Sequence, residues 1–451
     1  MQKDIKLQNH SCHRKRGKNL GVPELIAIAL GGMVGGGIFT ILGISVSLIG
    51  AYTPVAIAIG SVVAAFAAYS YIKLGVYYKD EGATYSFYKK TFPSSPFAAS
   101  VIGWWVIFGY ISTLALYAYT FAAYAISGLA TADTEWIRKV VAGAVILVFT
   151  LINVWSVKGM GKVEDLMVYT KLVILVVISF VLINNSNTTL PVLLATEDNV
   201  GVLAILIVAS LTFVAYEGFQ LVINAVNEIE QPEKNIPRAI YSAIFLAALV
   251  YIVMALGAIL AIPFEDIIRN KEYALASAAN GVLGHWGTDL VVAGALLATS
   301  SAISGTVFGA SRQMAVIARD GYLPGILAKR KNRIPVVAIV AMSMIAFLLV
   351  LGGTLELILE FGSITFLIVS LLMAYANYRI RHQTHSSSIV AVSAMLGLGT
   401  ATLLILYYEF NHKPLQFYIV IALYGVLTLG AWIYSLKRKM FIPEMTVTKD
   451  G

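Results

Sequence analysis

Apolar residues in this chain gather in long runs separated by short polar stretches. They do not fall at the three-to-four spacing that marks one face of a soluble helix. A membrane-crossing helix needs about 20 consecutive, predominantly apolar residues. Twelve runs meet or approach that length: 22–49, 53–78, 97–127, 138–157, 163–184, 200–228, 239–262, 288–318, 335–352, 355–378, 389–408 and 416–436. The pattern predicts an all-α integral membrane protein with 12 transmembrane helices. The first run is too long for a cleaved signal sequence and follows a polar tail of about 20 residues.

Basic residues set the expected orientation. With the N-terminus placed in the cytoplasm, the inner side holds Lys3, Lys6, Arg14, Lys15, Arg16 and Lys18 of the tail. It also holds Lys73, Lys79, Lys89, Lys90, Lys158, Lys162, Lys234, Arg238, Arg319 and most later Lys and Arg. The outer side holds only Arg138, Lys139, Arg269, Lys271 and Lys413. This bias predicts a multi-pass protein of the cell membrane with both termini cytoplasmic.

Composition agrees. Hydrophobic residues make up 59% of the 451 and charged ones 12%, about half the charged share of a soluble domain. The net charge of +8 is read as topology, not as a nucleic-acid footprint. The six histidines lie outside the apolar runs, which argues against intramembrane histidine relays and histidine metal sites. Cys12 is the single cysteine, so no intramolecular disulfide forms.

Two runs are interrupted. Residues 31–39, GGMVGGGIF, put five glycines into seven positions at the middle of the first run. Each glycine costs a helix about 0.8–1 kcal/mol relative to alanine. Gly31/Gly35 and Gly32/Gly36 form GxxxG pairs that suit close helix packing. Glycines on all faces also suit an unwound segment lining a cavity. The sixth run carries Glu217-Gly218 at its middle, and an ionisable residue at that depth is a functional candidate. Interrupted spans at the first and sixth places point to an inverted-repeat carrier. The expected units are a tail at 1–20, a first repeat at 21–199 and a second at 200–388. Two added spans at 389–436 and a second tail at 437–451 follow.

At these residues the sequence resembles the amino acid–polyamine–organocation transporters. The resemblance rests on Gly35-Gly36-Gly37-Ile38-Phe39 and on Phe213-Val214-Ala215-Tyr216-Glu217-Gly218-Phe219. It extends to Glu228 with Asn235-Ile236-Pro237-Arg238-Ala239-Ile240, and to Ala318-Arg319-Asp320-Gly321-Tyr322-Leu323-Pro324. It implies a LeuT-like fold of five plus five helices, with helices 1 and 6 unwound, that moves amino acids or related amines by alternating access. The substrate carboxylate would meet N–H groups of Gly35, Gly36 and Gly37. Its ammonium would meet carbonyls at Thr212, Phe213 and Ala215. Met33, Phe213, Tyr216 and Phe219 would shape an apolar side-chain pocket suited to neutral amino acids. Glu217 leaves cationic amino acids or polyamines open. Glu228 and Arg238 would pair as an inner gate, and Glu356 and Glu360 would lie partly solvated at an outer end.

Lys171 lies about 12 Å inside the fifth run at 1.5 Å per residue. One reading has it snorkelling back to the surface. In the resemblance it occupies the place of a helix-5 lysine found in proton-coupled members, where sodium-coupled relatives hold a cation. It would then reach the Gly31 carbonyl, with Ser300 and Ser301 as hydroxyl partners. The expected function is proton-coupled amino acid uptake. The alternatives are an amino acid or polyamine exchanger and an amino-acid-binding receptor that does not concentrate its ligand. No paired aspartates, HExxH or nucleophile–base pair lies in the spans, so no enzyme is expected. The implied partners are an amino acid, a proton and the lipid bilayer. No cofactor, metal or nucleic acid is implied, and nothing specifies an oligomeric state.

Overall fold

The computed structural model describes residues 20–441 except 81, 130–133, 156–159, 187, 197–199, 270–272 and 332–333. Cys12, Glu81, Lys158, Lys271, Arg333 and most of the two predicted tails lie outside the described residues. The described chain is helical apart from two isolated backbone bridges.

The first predicted run divides into α1 (Val22–Met33) and α2 (Gly36–Ile49), followed by α3 (Thr53–Tyr78) after a three-residue 3-10 turn. A short α4 (Ala83–Thr91) leads to the long α5 (Pro96–Ile126), then α6 (Glu135–Trp155), α7 (Met160–Asn184) and α8 (Leu190–Thr196). The sixth run begins as α9 (Val202–Thr212) and continues as 3-10 segments at Phe213–Tyr216 and Phe219–Glu228. There follow α10 (Pro232–Ala261), α11 (Phe264–Arg269), α12 (Ala274–Arg319), α13 (Val336–Gly352), α14 (Leu355–Arg379), α15 (Ser388–His412) and α16 (Pro414–Phe441). Proline opens α1, α3, α5 and α10, where its missing N–H costs nothing and its φ is already helical. Within α12, Gly284 leaves the helical region at φ +64° and marks a kink.

Among the described residues, ten helical stretches are long and apolar enough to cross a membrane. This is fewer than the predicted runs for two reasons. Gly36–Tyr78 reads as one stretch because only a short turn separates α2 from α3, and α13 is 17 residues long. The protein is therefore a multi-pass, all-helical membrane protein.

Burial orders the helices. The most apolar windows of α5 and α14 are 78% buried and that of α16 only 22%, so α5 and α14 form the centre and α16 the periphery. Around them α12 packs on α5 and α7, and α10 packs on α3, α7 and α1. Large apolar side chains such as Phe180, Leu403 and Leu429 face outward, as a lipid-facing surface requires.

Candidate functional site

The site is built where the two interrupted helices meet. α1 ends at Met33, and Val34 (φ −81°, ψ 74°) and Gly35 (φ −119°, ψ −148°) are non-helical before α2 resumes. The break exposes carbonyls that a continuous helix would have used, and buried carbonyls require donors. Each of the four finds one. Lys171 on α7 donates to Val34 O at 2.7 Å and Gly31 O at 3.3 Å. Tyr117 on α5 donates to Gly32 O at 3.2 Å. The Tyr251 hydroxyl on α10 lies 2.8 Å from Met33 O. At the head of α2, the N–H groups of Gly36, Gly37 and Ile38 have no acceptor within the helix, as at any helix start.

The second break is a sharper one. After Tyr216 the chain turns at Glu217-Gly218, with Gly218 at φ +127°. A Cβ built on Gly218 would lie 2.4 Å from the Gly32 carbonyl carbon and 2.6 Å from Met33 N. The two breaks thus touch backbone to backbone, and only glycine fits there. The glycines of the first break face different neighbours. Gly32 abuts Gly218 and Leu221, Gly35 abuts Ala302 and Tyr117, and Gly36 abuts Thr120. The packing reading and the unwinding reading of GGMVGGGIF both hold, because the break is surrounded by close neighbours on all sides.

Tyr251 ties the breaks together. Its hydroxyl also lies 3.0 Å from Ala215 O, so one O–H spans a carbonyl from each broken helix. Sequence reading missed this residue. Its signal was a single polar tip within the apolar stretch AALVYIVMALG.

Lys171 is fully buried, which excludes a side chain reaching back to the surface. Besides the two carbonyls it donates to Ser301 Oγ on α12 at 2.7 Å. Ser300, the other expected partner, is half-buried, and the lysine's described serine bond goes to Ser301.

Glu217 is buried, and its Oε2 accepts from Gln220 Nε2. Gln220 is oriented by its own contacts: its Oε1 accepts the Gly218 N–H at 3.0 Å, and its Nε2 also donates to the Tyr110 hydroxyl at 3.0 Å. Beside the carboxylate is a cavity of about 10 Å³, the room of roughly one water. Glu217 and Gly218 line it from the second break, Gly32 from the first, and Tyr110, Thr113 and Tyr117 from α5; Leu221, Thr306 and Phe366 complete it.

The residues expected to shape the pocket lie around this void. Met33, Phe213, Tyr216 and Phe219 are all buried, but none lines the cavity. Tyr216 donates to Ile57 O on α3 at 3.0 Å and packs on the Tyr251 ring at 5.4 Å. Phe219 meets Tyr71 edge-on at 5.5 Å. Thr212 Oγ1 turns back to Ala209 O at 2.7 Å, and one lone pair of Ala215 O already serves Tyr251. Tyr216 and Phe219 thus pack the second break against α3 and α10.

The expected gate residue Glu228 takes part in a backbone bridge: its carbonyl accepts the Leu20 N–H at 2.7 Å, and Glu230 N–H donates to Leu20 O at 3.2 Å. This bridge ties the start of α1 to the end of the second broken segment. At the same end of the molecule, Tyr85 donates to Asp320 at 3.0 Å and Lys89 pairs with the same carboxylate at 2.5 Å. Lys79 pairs with Glu233 at 2.5 Å. Glu356 and Glu360, expected to be partly solvated, both pair with Lys413, and Glu360 is only 3% exposed. Sequence distance hid that cluster, since α14 and the α15–α16 turn meet only in three dimensions.

The chain is similar in sequence to known proteins over most of its length. The amino acid permease family profile matches residues 20–428. The inner membrane transport protein YbaT of Escherichia coli is 30% identical over 397 residues, covering 88% of this chain and 90% of that one. The uncharacterized protein MJ0609 of Methanocaldococcus jannaschii is 27% identical over 437 residues, 96% of this chain and 99% of that one. The branched-chain amino acid permease BcaP of Bacillus subtilis is 23% identical over 346 residues, 71% of this chain and 72% of that one. A multi-pass helical protein with two broken helices meeting at its centre, matched over residues 20–428 by that profile, belongs to the amino acid permease family.

Proposed function

We propose that this protein is a secondary active carrier that takes up amino acids by proton symport. Alternating access would operate between two inverted five-helix repeats within a twelve-helix LeuT-like fold. The chain is a carrier and not a catalyst, with cytoplasmic termini in a cell membrane. The substrate carboxylate meets the open amides at the start of α2, where backbone N–H groups and the helix dipole favour an anion. Its ammonium meets carbonyls of the second break.

One observation carries the coupling: the buried Lys171 ammonium holds Val34 O, Gly31 O and Ser301 Oγ together. As an ammonium it supplies three donors and a full charge to the break in α1. As a neutral amine it loses one donor and the charge, and α1, α7 and α12 lose their common tie. A proton arriving at or leaving Lys171 therefore changes how firmly the first broken helix is held. While protonated, Lys171 takes the role that sodium plays elsewhere, so transport needs no sodium.

The test is uptake of a labelled amino acid into proteoliposomes under an imposed pH gradient, with no substrate inside. The native protein accumulates its substrate without sodium, and Lys171→Ala loses the pH-driven component. Undiminished pH-driven uptake by Lys171→Ala would overturn the coupling. Uptake only with counter-substrate inside would identify an exchanger.

A further inference from the structure

Another cavity lies away from the two breaks, among the end of α3, the start of α10 and the turn from α14 to α15. It holds about 580 Å³, the size of a small-molecule site, against about 10 Å³ beside Glu217. The carrier reading makes no use of it. Tyr69, Lys73 and Tyr77 of α3 line it, with Tyr241 of α10 and Gln383 and His385 of the turn. Hydrogen bonds build these walls. Lys73 Nζ donates to His385 O at 2.9 Å, and the Tyr77 hydroxyl donates to Gln383 Oε1 at 3.0 Å. The Ser387 N–H donates to the Tyr69 hydroxyl at 2.7 Å. The end of α3 thus holds the turn in place.

The cavity has one net positive charge. Lys73 and Lys79 are its basic lining and Glu233 its acidic lining, with His385 counted as neutral. Glu233 pairs with Lys79 at 2.5 Å, which leaves the charge of Lys73. An ammonium has three donors, and the described hydrogen bond of Lys73 uses one of them. The Gln383 oxygen takes Tyr77, so its amide N–H groups remain for an acceptor.

The surroundings suit the edge of a bilayer. Tyrosine collects at membrane interfaces, and Tyr69, Tyr77 and Tyr241 all line this cavity. From Tyr69 the same face of α3 continues to Phe66 and Val62, and from Tyr241 that of α10 continues to Phe245 and Leu249; all four are exposed. α3 runs toward the cavity and α10 away from it, so both apolar rows lead back into the membrane. A single cation under aromatic rings, with two apolar rows below, has the chemistry of a phosphodiester headgroup with its acyl chains. Basic pockets between spans on the cytoplasmic side suit anionic headgroups.

We propose that this cavity binds a monoanionic phospholipid, its phosphodiester on Lys73 Nζ and the Gln383 amide and its acyl chains along α3 and α10. In the orientation proposed above this is the cytoplasmic end, so the lipid belongs to the inner leaflet. Bound there, it bridges α3, α10 and the α14–α15 turn and stabilises the fold.

The test titrates the purified full-length protein, in neutral detergent, with dioleoylphosphatidylglycerol or dioleoylphosphatidylethanolamine. Binding is read by thermal unfolding and by lipid adducts in native mass spectrometry, neither of which depends on transport or on orientation. The native protein is expected to bind the glycerol lipid at least about fivefold more tightly, the scale of one basic group at an anionic surface. Lys73→Met should remove that preference. Lys79→Met, at the exposed rim, leaves Glu233 unpaired and brings the cavity to zero net charge, so it should do the same. It decides the matter if Lys73→Met does not fold. Lys329→Met removes an exposed charge outside the cavity and should keep the preference. Equal binding of the two lipids by the native protein overturns the proposal. So does a preference that survives in a folded cavity variant, or one that falls as far in Lys329→Met, which would mark general attraction to a basic chain. Equal stabilisation by glycerol phosphate, which lacks acyl chains, would overturn the lipid in favour of a soluble phosphate.

Discussion

The hydroxyl of Tyr251 lies 2.8 Å from the carbonyl oxygen of Met33, the last residue before the first helix breaks. The same hydroxyl lies 3.0 Å from Ala215 O in the second broken helix. Two discontinuities 182 positions apart are thus spanned by one side chain of a third helix. Tyr251→Phe keeps the ring against Tyr216 and removes only the O–H. Buried acceptors that lose a donor cost about 1–3 kcal/mol. The expected result is a lower unfolding temperature in detergent and slower uptake. An unchanged unfolding temperature would show that the breaks are held without it.

Gly218 should tolerate no side chain. It stands at φ +127°, and an added Cβ would lie 2.4 Å from the Gly32 carbonyl carbon. Gly218→Ala should lower the yield of folded protein and abolish transport. Gly397 is the control: it lies within α15, and a Cβ there meets nothing within 4 Å. Gly397→Ala should stabilise by up to about 1 kcal/mol through helix propensity. Size-exclusion profiles and thermal unfolding separate the two outcomes.

Lys413 anchors Glu360 and Glu356 at 2.7 and 2.9 Å. Burial works against its charge, but the two carboxylates more than offset this and hold its pKa above the ordinary lysine range. Its stabilising contribution is therefore full below the ordinary lysine value and lost only as pH rises through the raised one. Lys413→Met would strand Glu360, costing about 2–4 kcal/mol, somewhat under the fully buried limit because Lys413 is part-exposed. Adding Glu360→Gln should recover much of that loss. Thermal unfolding of the single and double variants measures the coupling, and simple additivity would refute it.

Asp80 offers a contrasting acid-side test. It accepts the Gly82 N–H at 2.8 Å and pairs with Lys90, so it clamps both ends of α4. Burial alone would raise its pKa, but the Lys90 hydrogen bond and the Gly82 amide prevail and set it below the usual 3.8. With the folded value depressed, the contribution is present above 3.8 and lost as pH falls through the lower value. Asp80→Asn should cost about 1 kcal/mol at neutral pH, as part-exposed pairs do. Its difference from the native protein should shrink toward pH 3. A difference that stays constant down to that pH would contradict the ion pair.

Several parts of the site were legible because they are local. Five glycines in seven positions cannot make a strong helix, and the chain breaks there, at Val34 and Gly35. Glu217-Gly218 reads as a second break for the same reason, and the turn lies there. Lys171 stands too deep to be lipid-facing and is buried against the first break. The partners were less legible. Tyr110, Tyr117, Gln220 and Tyr251 are ordinary residues in apolar runs, and their hydroxyls and amide acquire roles only from the helices that meet them. Met33, Phe213, Tyr216 and Phe219 are apolar and near the breaks, so sequence marks them as pocket walls. Which helices they meet is settled only in three dimensions: Tyr216 and Phe219 pack against α3 and α10.

By itself the sequence determined that the chain is a membrane-embedded helical protein, which helices break and that one lysine lies deep within a span. Those are properties of one segment at a time. Apolar length answers to the thickness of a bilayer, and glycine content to the backbone of its own turn. Tertiary structure alone decided that the breaks touch at Gly32 and Gly218, that Tyr251 joins them, and that Glu217 keeps one oxygen without a partner. Each of those joins groups from distant parts of the chain. A hydrogen bond depends on ångström distances between helices, and no single run of residues encodes them.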